Sequence, residues 1–173
     1  MIVICSGYFA PLHQGHLEYL EEAFEYGNRK TNLWVATINQ RSSRCFRSTR
    51  TYIVVIVNND KQVKLKDSIP FLDEEIRCKI IECLYCVDMV ELSIDEDESV
   101  ALTLEKIAQK YNDDICFINA GDRQNANPKE HQICEKYKIK EVFLDLPKIN
   151  SSSRILNEVG KEWLKRRQNN EQN

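Results

Sequence analysis

The sequence predicts a Rossmann-like α/β domain, a doubly wound, five-stranded parallel sheet with helices on both faces. Three observations lead there. Short continuous apolar runs recur along the chain, at residues 2–5 and 53–57 above all, and parallel strands buried on both faces read in this way. Between the runs lie segments whose apolar residues repeat at helical spacing. Finally, 173 residues at 42% hydrophobic and 29% charged suit one folded domain and are too apolar for a disordered chain.

Taken in order, residues 2–5 form the first expected strand. Leu17, Leu20 and Phe24 then mark a helix, which Gly27 is expected to close as a left-handed cap. The β-branched run 53–57 is a central strand ended by Asn58, Asn59 and Asp60, with residues 33–38 a weaker strand candidate before it. After Pro70, Asp73 caps a helix carrying Ile76, Ile80 and Leu84 on one face. Residues 87–92 give a strand, and Ser99 opens a helix with Val100, Leu104 and Ile107 inward. Residues 115–118 give the fourth strand. Asn127-Pro128 is a cap followed by a first-turn proline. A fifth strand at 142–144 and a terminal helix at 151–167 complete one domain, 1–167, with 168–173 expected as a disordered tail.

Charge and thiols narrow the function. The net charge of −3 argues against nucleic acid or a membrane as the main partner. No run of eighteen apolar residues could form a spanning helix. The apolar start reads as a strand and not a leader, so the seven cysteines are expected to be reduced thiols in a cytoplasmic protein. Cys83 and Cys86 have redox or zinc spacing but no second ligand pair, and read as buried thiols. Asp95 to Glu98 reads as a solvated helix entry, and His131 as a surface residue. Residues 28–52 carry +6 and no acid, leaving −9 on the remainder. The basic stretch at about 31–51 reads as a loop or insertion.

In a doubly wound sheet, ligands bind beyond the carboxyl ends of the strands. Two such ends are unusual. Ser6 to His16 reads SGYFAPLHQGH and runs directly into a helix, bringing together two of the three histidines and two of the five glycines. Gly7 is expected to admit a ligand close to the backbone, and Gly15-His16 opens a helix whose free N–H groups favour an anion. The second end, Ser151-Ser152-Ser153-Arg154, sets three hydroxyls and a guanidinium at another helix start. One such site is explained by capping alone; two on one sheet edge suit the two sides of a polyphosphate.

His13-Gln14-Gly15-His16 resembles the H-x-G-H signature of the cytidylyltransferase-like nucleotidyltransferases, and Ser151 to Ile155 is similar to their distal I-S-S/T-x-x-I/R motif. Val57 to Lys61, Glu74 to Arg77, Cys86 to Val90 and Asn119 to Arg123 follow in the family's order. The resemblance spans nearly the whole chain outside about 31–51, with glycerol-3-phosphate cytidylyltransferase and heptose-phosphate adenylyltransferase as the similar small branch. It implies an enzyme moving a nucleotidyl group from an NTP, with Mg2+, to a small phosphorylated acceptor (a sugar phosphate, polyol phosphate or phosphorylated amino alcohol), releasing pyrophosphate. The run through Gly121, Asp122 and Arg123 leans the base towards ATP over CTP.

By carry-over, His13 and His16 contact the α- and β-phosphates, and Gly7, Tyr8 and Phe9 line the nucleotide through their backbone, beside Gly15. Lys61 serves the acceptor or α-phosphate, with Lys64 and Lys66 as substitutes. Ser151, Ser152, Ser153 and Arg154 hold the β- and γ-phosphates, and Gly121, Asp122 and Arg123 border base and ribose. The family also implies a homodimer. Ala10 departs from the family's Asp or Asn, and together with the basic insertion it keeps a catalytically silent nucleotide-binding module open. Ala10-Pro11 is also similar to the NMN adenylyltransferases, which adds that acceptor.

Overall fold

A computed structural model describes residues 1–31, 51–111, 113–120, 127–147 and 149–171. The elements are β1 (Ile2–Gly7), α1 (Gln14–Lys30), β2 (Tyr52–Val57), α2 (Asp60–Leu65), α3 (Glu74–Glu82), β3 (Met89–Leu92), α4 (Ala101–Lys110), β4 (Ile115–Ala120), α5 (Pro128–Tyr137), β5 (Lys140–Leu144) and α6 (Ser152–Glu171). The five strands form one parallel sheet in the order β3-β2-β1-β4-β5.

Alternation along the central strands gives each face its own core. Val3, Cys5, Ile53, Val55 and Val57 pack with Leu20 and Ala23 of α1 and Ile81 of α3. Ile2, Ile4, Val54 and Ile56 pack on the other face with Leu104 and Ile107 of α4 and Cys134 of α5. Helices on both faces are what a doubly wound sheet requires. No helix among the described residues is long and apolar enough to cross a membrane.

Several elements differ from expectation. Gly27 does not end the first helix, which continues to Lys30 and is capped by Thr31. A Cβ at Gly27 would stand 2.3 Å from Thr51 Cγ2 and 3.1 Å from Val3 Cγ2, so glycine is there to let α1 lie against the sheet. The short α2 follows β2 directly, started by a capping box in which Asn59 accepts from Gln62 N and Gln62 Oε1 accepts from Asn59 N. The helix expected to open at Ser99 begins at Ala101 with Val100 at its N-cap, and the Ser99 hydroxyl donates to Asp97 while accepting from the Ala101 N–H at 3.4 Å. Asp95 is no solvated acid: at 2% exposure it accepts from the N–H groups of Leu102 and Thr103 and from the Thr103 hydroxyl, fixing the start of α4. The last helix continues to Glu171, past the expected end at 167 and into the expected tail.

Asp73 and Asn127 cap α3 and α5 as the sequence predicts. His131 is at the surface, with Nδ1 2.5 Å from a Glu141 carboxylate oxygen. Cys86 is buried, but Cys83 is exposed, and no cluster of metal-ligating side chains occurs among the described residues. The strand candidate at 33–38 and the basic stretch at 32–50 lie outside the described residues.

Candidate nucleotide site

Strand order reverses about β1: β2 and β3 lie on one side, β4 and β5 on the other. The crevice of such a sheet opens at that switch point. β1 pairs with β2 along its full length to Gly7, but with β4 only as far as Cys5 opposite Ile118. Beyond that pair the two strands part. The Tyr19 hydroxyl from α1 occupies the fork, donating to the Ile118 carbonyl and accepting from the Ser6 N–H at 3.3 Å. It satisfies backbone groups that parting strands would leave unpaired in the interior.

Above the fork lies a cavity of about 350 Å³, a size suited to a small-molecule site. Ser6, Gly7, Tyr8, Ala10 and the α1 start form one wall. Asn119 and Ala120 at the end of β4, with Leu146, Pro147 and Ile149, form another. Ser151, Ser152 and Ser153 at the start of α6 close a third side, and Val63, Lys66 and Ser68 contribute from α2 and its following turn. The starts of α1 and α6 are joined, since the Ser152 hydroxyl donates to the Pro11 carbonyl at 3.0 Å. Two helix N-termini, each favourable to an anion, thus border one cavity.

The two histidines are stacked, with ring centres 3.7 Å apart and planes 20° from parallel. The Phe9 ring meets His16 edge-on at 4.9 Å. Burial, and then the neighbouring His13, push His16 down to about 3, and burial also lowers His13. The pair is therefore neutral near pH 7. Both Nδ1 atoms are buried without a hydrogen-bond partner, so each ring keeps hydrogen-bonding capacity unspent inside the protein.

Gly7 has a different cause from the one expected. A Cβ there would stand 2.7 Å from Phe9 Cζ. Phe9, held at φ 49° and 2% exposed, folds back over Gly7 to support His16 and does not line the cavity. At Gly15 a Cβ would come within 3.3 Å of the His13 ring. Each glycine makes room for a side chain that shapes the histidine pair.

His13, His16, Gly7, Tyr8, Gly15, Ser151, Ser152 and Ser153 all border the cavity. Lys61 does not: it is highly exposed and lies 3.3 Å from Glu96. Among the described residues the lysine that borders the cavity is Lys66, whose ammonium sits 4.3 Å from the centre of the Tyr8 ring. Arg154 is also outside, exposed and bonded to Glu158 at 2.8 Å. Gly121, Asp122 and Arg123 lie outside the described residues.

Sequence reading passed over Tyr19 and Ser68 in the cavity wall and named Ser6 and Asn119 only within longer runs, without a role. For Ser6 and Asn119 the available signal was a polar residue at the end of a buried strand. It also missed how the wall is held. Arg77, at 1% exposure, donates to the carbonyls of Tyr8 (2.6 Å), Asn58 (2.7 Å) and Leu72 (3.2 Å) and to Asp60 (2.6 Å). One guanidinium fork thus ties the β1–α1 loop to the β2–α2 turn.

No carboxylate borders the cavity among the described residues. Histidine, serine and lysine are poor partners for Mg2+, which takes carboxylate, phosphate and water oxygens. The described lining therefore does not form a resident magnesium site.

The cytidylyltransferase-like family model matches residues 4–52, which include the histidine loop. An FAD synthase from Ferroglobus placidus is 31% identical over 105 residues, covering 61% of this chain and 52% of the relative. The bifunctional protein HldE from Hydrogenovibrio crunogenus is 33% identical over 123 residues, or 70% of this chain and 19% of the relative. The chain thus spans about half of one of these relatives and a fifth of the other. Among solved structures, a lipopolysaccharide core biosynthesis protein from Thermoplasma volcanium superposes with a TM-score of 0.58 at 21% identity, covering 85% of this chain and 98% of that one. That likeness concerns the fold. The chain is thus similar to the cytidylyltransferase-like family over residues 4–52, which carry the histidine motif at the mouth of a sheet of matching fold.

Proposed function

We propose that the protein is a nucleotidyltransferase that moves an adenylyl group from ATP to a small phosphorylated acceptor. The observation that carries this reading is the neutral, stacked histidine pair at the start of α1, facing the serine-lined start of α6 across one cavity. An acceptor phosphate oxygen attacks the α-phosphorus in line, the bond to the α–β bridging oxygen breaks, and pyrophosphate leaves. No covalent enzyme intermediate is formed.

His13 and His16 donate N–H groups to phosphoryl oxygens as charge accumulates, and the hydroxyls of Ser151 to Ser153 with the α6 N-terminus hold the leaving pyrophosphate. Lys66 takes the role assigned by resemblance to Lys61. Mg2+ enters as the companion of the nucleotide's own phosphates. ATP is favoured over CTP because two relatives, from Ferroglobus placidus and Methanobrevibacter ruminantium, are FAD synthases, and FAD is an adenine dinucleotide. A flavin phosphate thereby joins sugar and polyol phosphates as an acceptor class.

The test begins with thermal melts in ATP, CTP, GTP and UTP with magnesium. Ligand at about 100 times its Kd adds about 2.7 kcal/mol, a shift on the order of 5–10 °C for a domain of this size. ATP is expected to stand out, and pyrophosphate release is then screened against the acceptor classes, NMN included. His16→Ala should abolish release without unfolding the protein. Lys66→Met should lower it by about tenfold or more while Lys61→Met leaves it within about twofold. Retained turnover in His16→Ala refutes the reading. The carboxylate-free wall at Ala10 supports a second reading, a module that binds nucleotide without turnover; one active acceptor ends it.

A further inference from the structure

α6 leaves the domain as an exposed arm: every described side chain from 157 to 168 is exposed. Yet the helix is not polar all round. Leu156, Gly160, Trp163 and Arg167 fall at i, i+4, i+7 and i+11, one face of a helix, with Val159 and Leu164 on its flanks. Val159, Trp163 and Leu164 are 62%, 58% and 54% exposed. A solvated helix has no use for such a stripe, and a glycine in a helix interior is unfavourable. Elsewhere in the chain close packing accounts for glycine, as at Gly7 and Gly27, but a Cβ at Gly160 would meet nothing within 4 Å. The face therefore carries a hole at Gly160 and a large knob at Trp163, and none of the described residues fills the one or covers the other.

We infer that this face of α6 is a dimerisation surface whose occupant is α6 of a second copy, packed antiparallel. A two-fold axis between positions 161 and 162 places Trp163 of each copy over Gly160 of the other. It also sets Leu156 against the aliphatic stem of Arg167. Large-on-small pairing in successive layers is how facing helices interdigitate. A parallel, in-register pair would instead oppose glycine to glycine and tryptophan to tryptophan.

A surface that carries both its knob and the matching hole is complementary to itself, which is the condition for a closed two-fold contact. A lipid surface is a poorer occupant. It has no need of the Gly160 hole, and Arg167 stands in the middle of the face, its guanidinium 5.5 Å from the Trp163 ring centre. Each tryptophan buries on the order of 150 Å² or more, and the paired stripes together approach about 1,000 Å², the lower bound for a specific interface. The dimer is accordingly weak and concentration-dependent.

Sedimentation velocity on the full chain over a hundredfold concentration range tests this. The wild type should shift from monomer towards dimer. Gly160→Trp alone sets bulk against bulk, and Trp163→Gly alone sets hole against hole. Each should weaken association by about tenfold or more. Combining Gly160→Trp with Trp163→Gly restores the large-on-small layers and should recover dimerisation. The domain's melting temperature at low concentration, unchanged in all variants, confirms that only the arm was altered. A wild type that stays monomeric overturns the inference, as does a dimer indifferent to both single variants or a double variant that fails to recover. A monomer that instead binds anionic vesicles through α6 overturns it in favour of a membrane.

Discussion

Replacing Arg77 by methionine keeps much of its volume and removes the guanidinium that joins two loops of the cavity wall. The change withdraws donors from the carbonyls of Tyr8, Asn58 and Leu72 and from the Asp60 carboxylate. Removing one partner of a buried ion pair costs about 3–5 kcal/mol, because the remaining charge is left without compensation. Asp60 is 27% exposed, so water recovers part of its loss, but the Asn58 carbonyl is in the interior. We expect Arg77→Met to destabilise the fold by about 3–4 kcal/mol, a fall in Tm on the order of 10 °C. Urea unfolding of Arg77→Met, Asp60→Asn and the double variant measures it. Since each single variant breaks the same contact, the double should fall short of their sum by about 1–3 kcal/mol. Arg77→Lys should rescue little, since a single ammonium cannot span four acceptors. A loss under about 1 kcal/mol, or strict additivity with Asp60→Asn, would refute the reading of Arg77 as the tie between the loops.

Two further expectations follow from packing and titration. Gly27→Ala should destabilise by about 1–2 kcal/mol despite the better helix propensity of alanine, because the new methyl strikes Thr51 Cγ2. Thr51→Ser removes that methyl and should relieve most of the penalty, leaving the 3.1 Å approach to Val3 Cγ2; equal loss in both backgrounds points to another cause. For His16, the folded pKa of about 3 lies below the unfolded value of 6.5, so between those values the unfolded state binds more protons. Stability is full above about pH 6.5 and falls as pH is lowered. Relative to His16→Gln, the wild type should lose on the order of 2 kcal/mol between pH 7 and pH 5, measured by urea unfolding at both values. Parallel pH profiles for the two proteins would contradict a buried, neutral His16.

The strands and the histidine loop were legible because their signals are local. A continuous run such as 53–57 has few other uses, and a glycine-histidine pair between a strand and a helix narrows the chemistry at once. What escaped depends on distant partners. Gly27 carries the same letter whether it ends a helix or admits Thr51, and only the sheet's position decides. Arg77 enters the sequence reading only as the end of the run Glu74 to Arg77, and its burial does not show there, since its acceptors are mostly backbone carbonyls of other loops, which no sequence pattern marks. α2 is too short to show a period, yet its orientation decides which lysine serves the cavity. Five residues along a helix turn a side chain by about 140°, which separates Lys61, beside Glu96, from Lys66, beside Tyr8.

The same contrast explains how the cavity comes to exist. Nucleotide sites in open sheets need strands that part at the right place, and parting exposes backbone groups which must be satisfied. Here Tyr19 meets that need from α1, three residues beyond His16, by accepting from Ser6 N–H and donating to the Ile118 carbonyl. Gly7 meets a different need by giving the Phe9 ring room to brace His16. The groups nearest the chemistry are therefore positioned by residues from the same sixteen-residue stretch, 4–19, which lies within the family match at 4–52. Arg77 and the α6 start then fix that stretch from outside it, one through the Tyr8 carbonyl and the other through Pro11. A short motif can specify such a site because it encodes the histidines proposed to contact phosphate and their local supports together, while the rest of the fold holds the loop at two carbonyls.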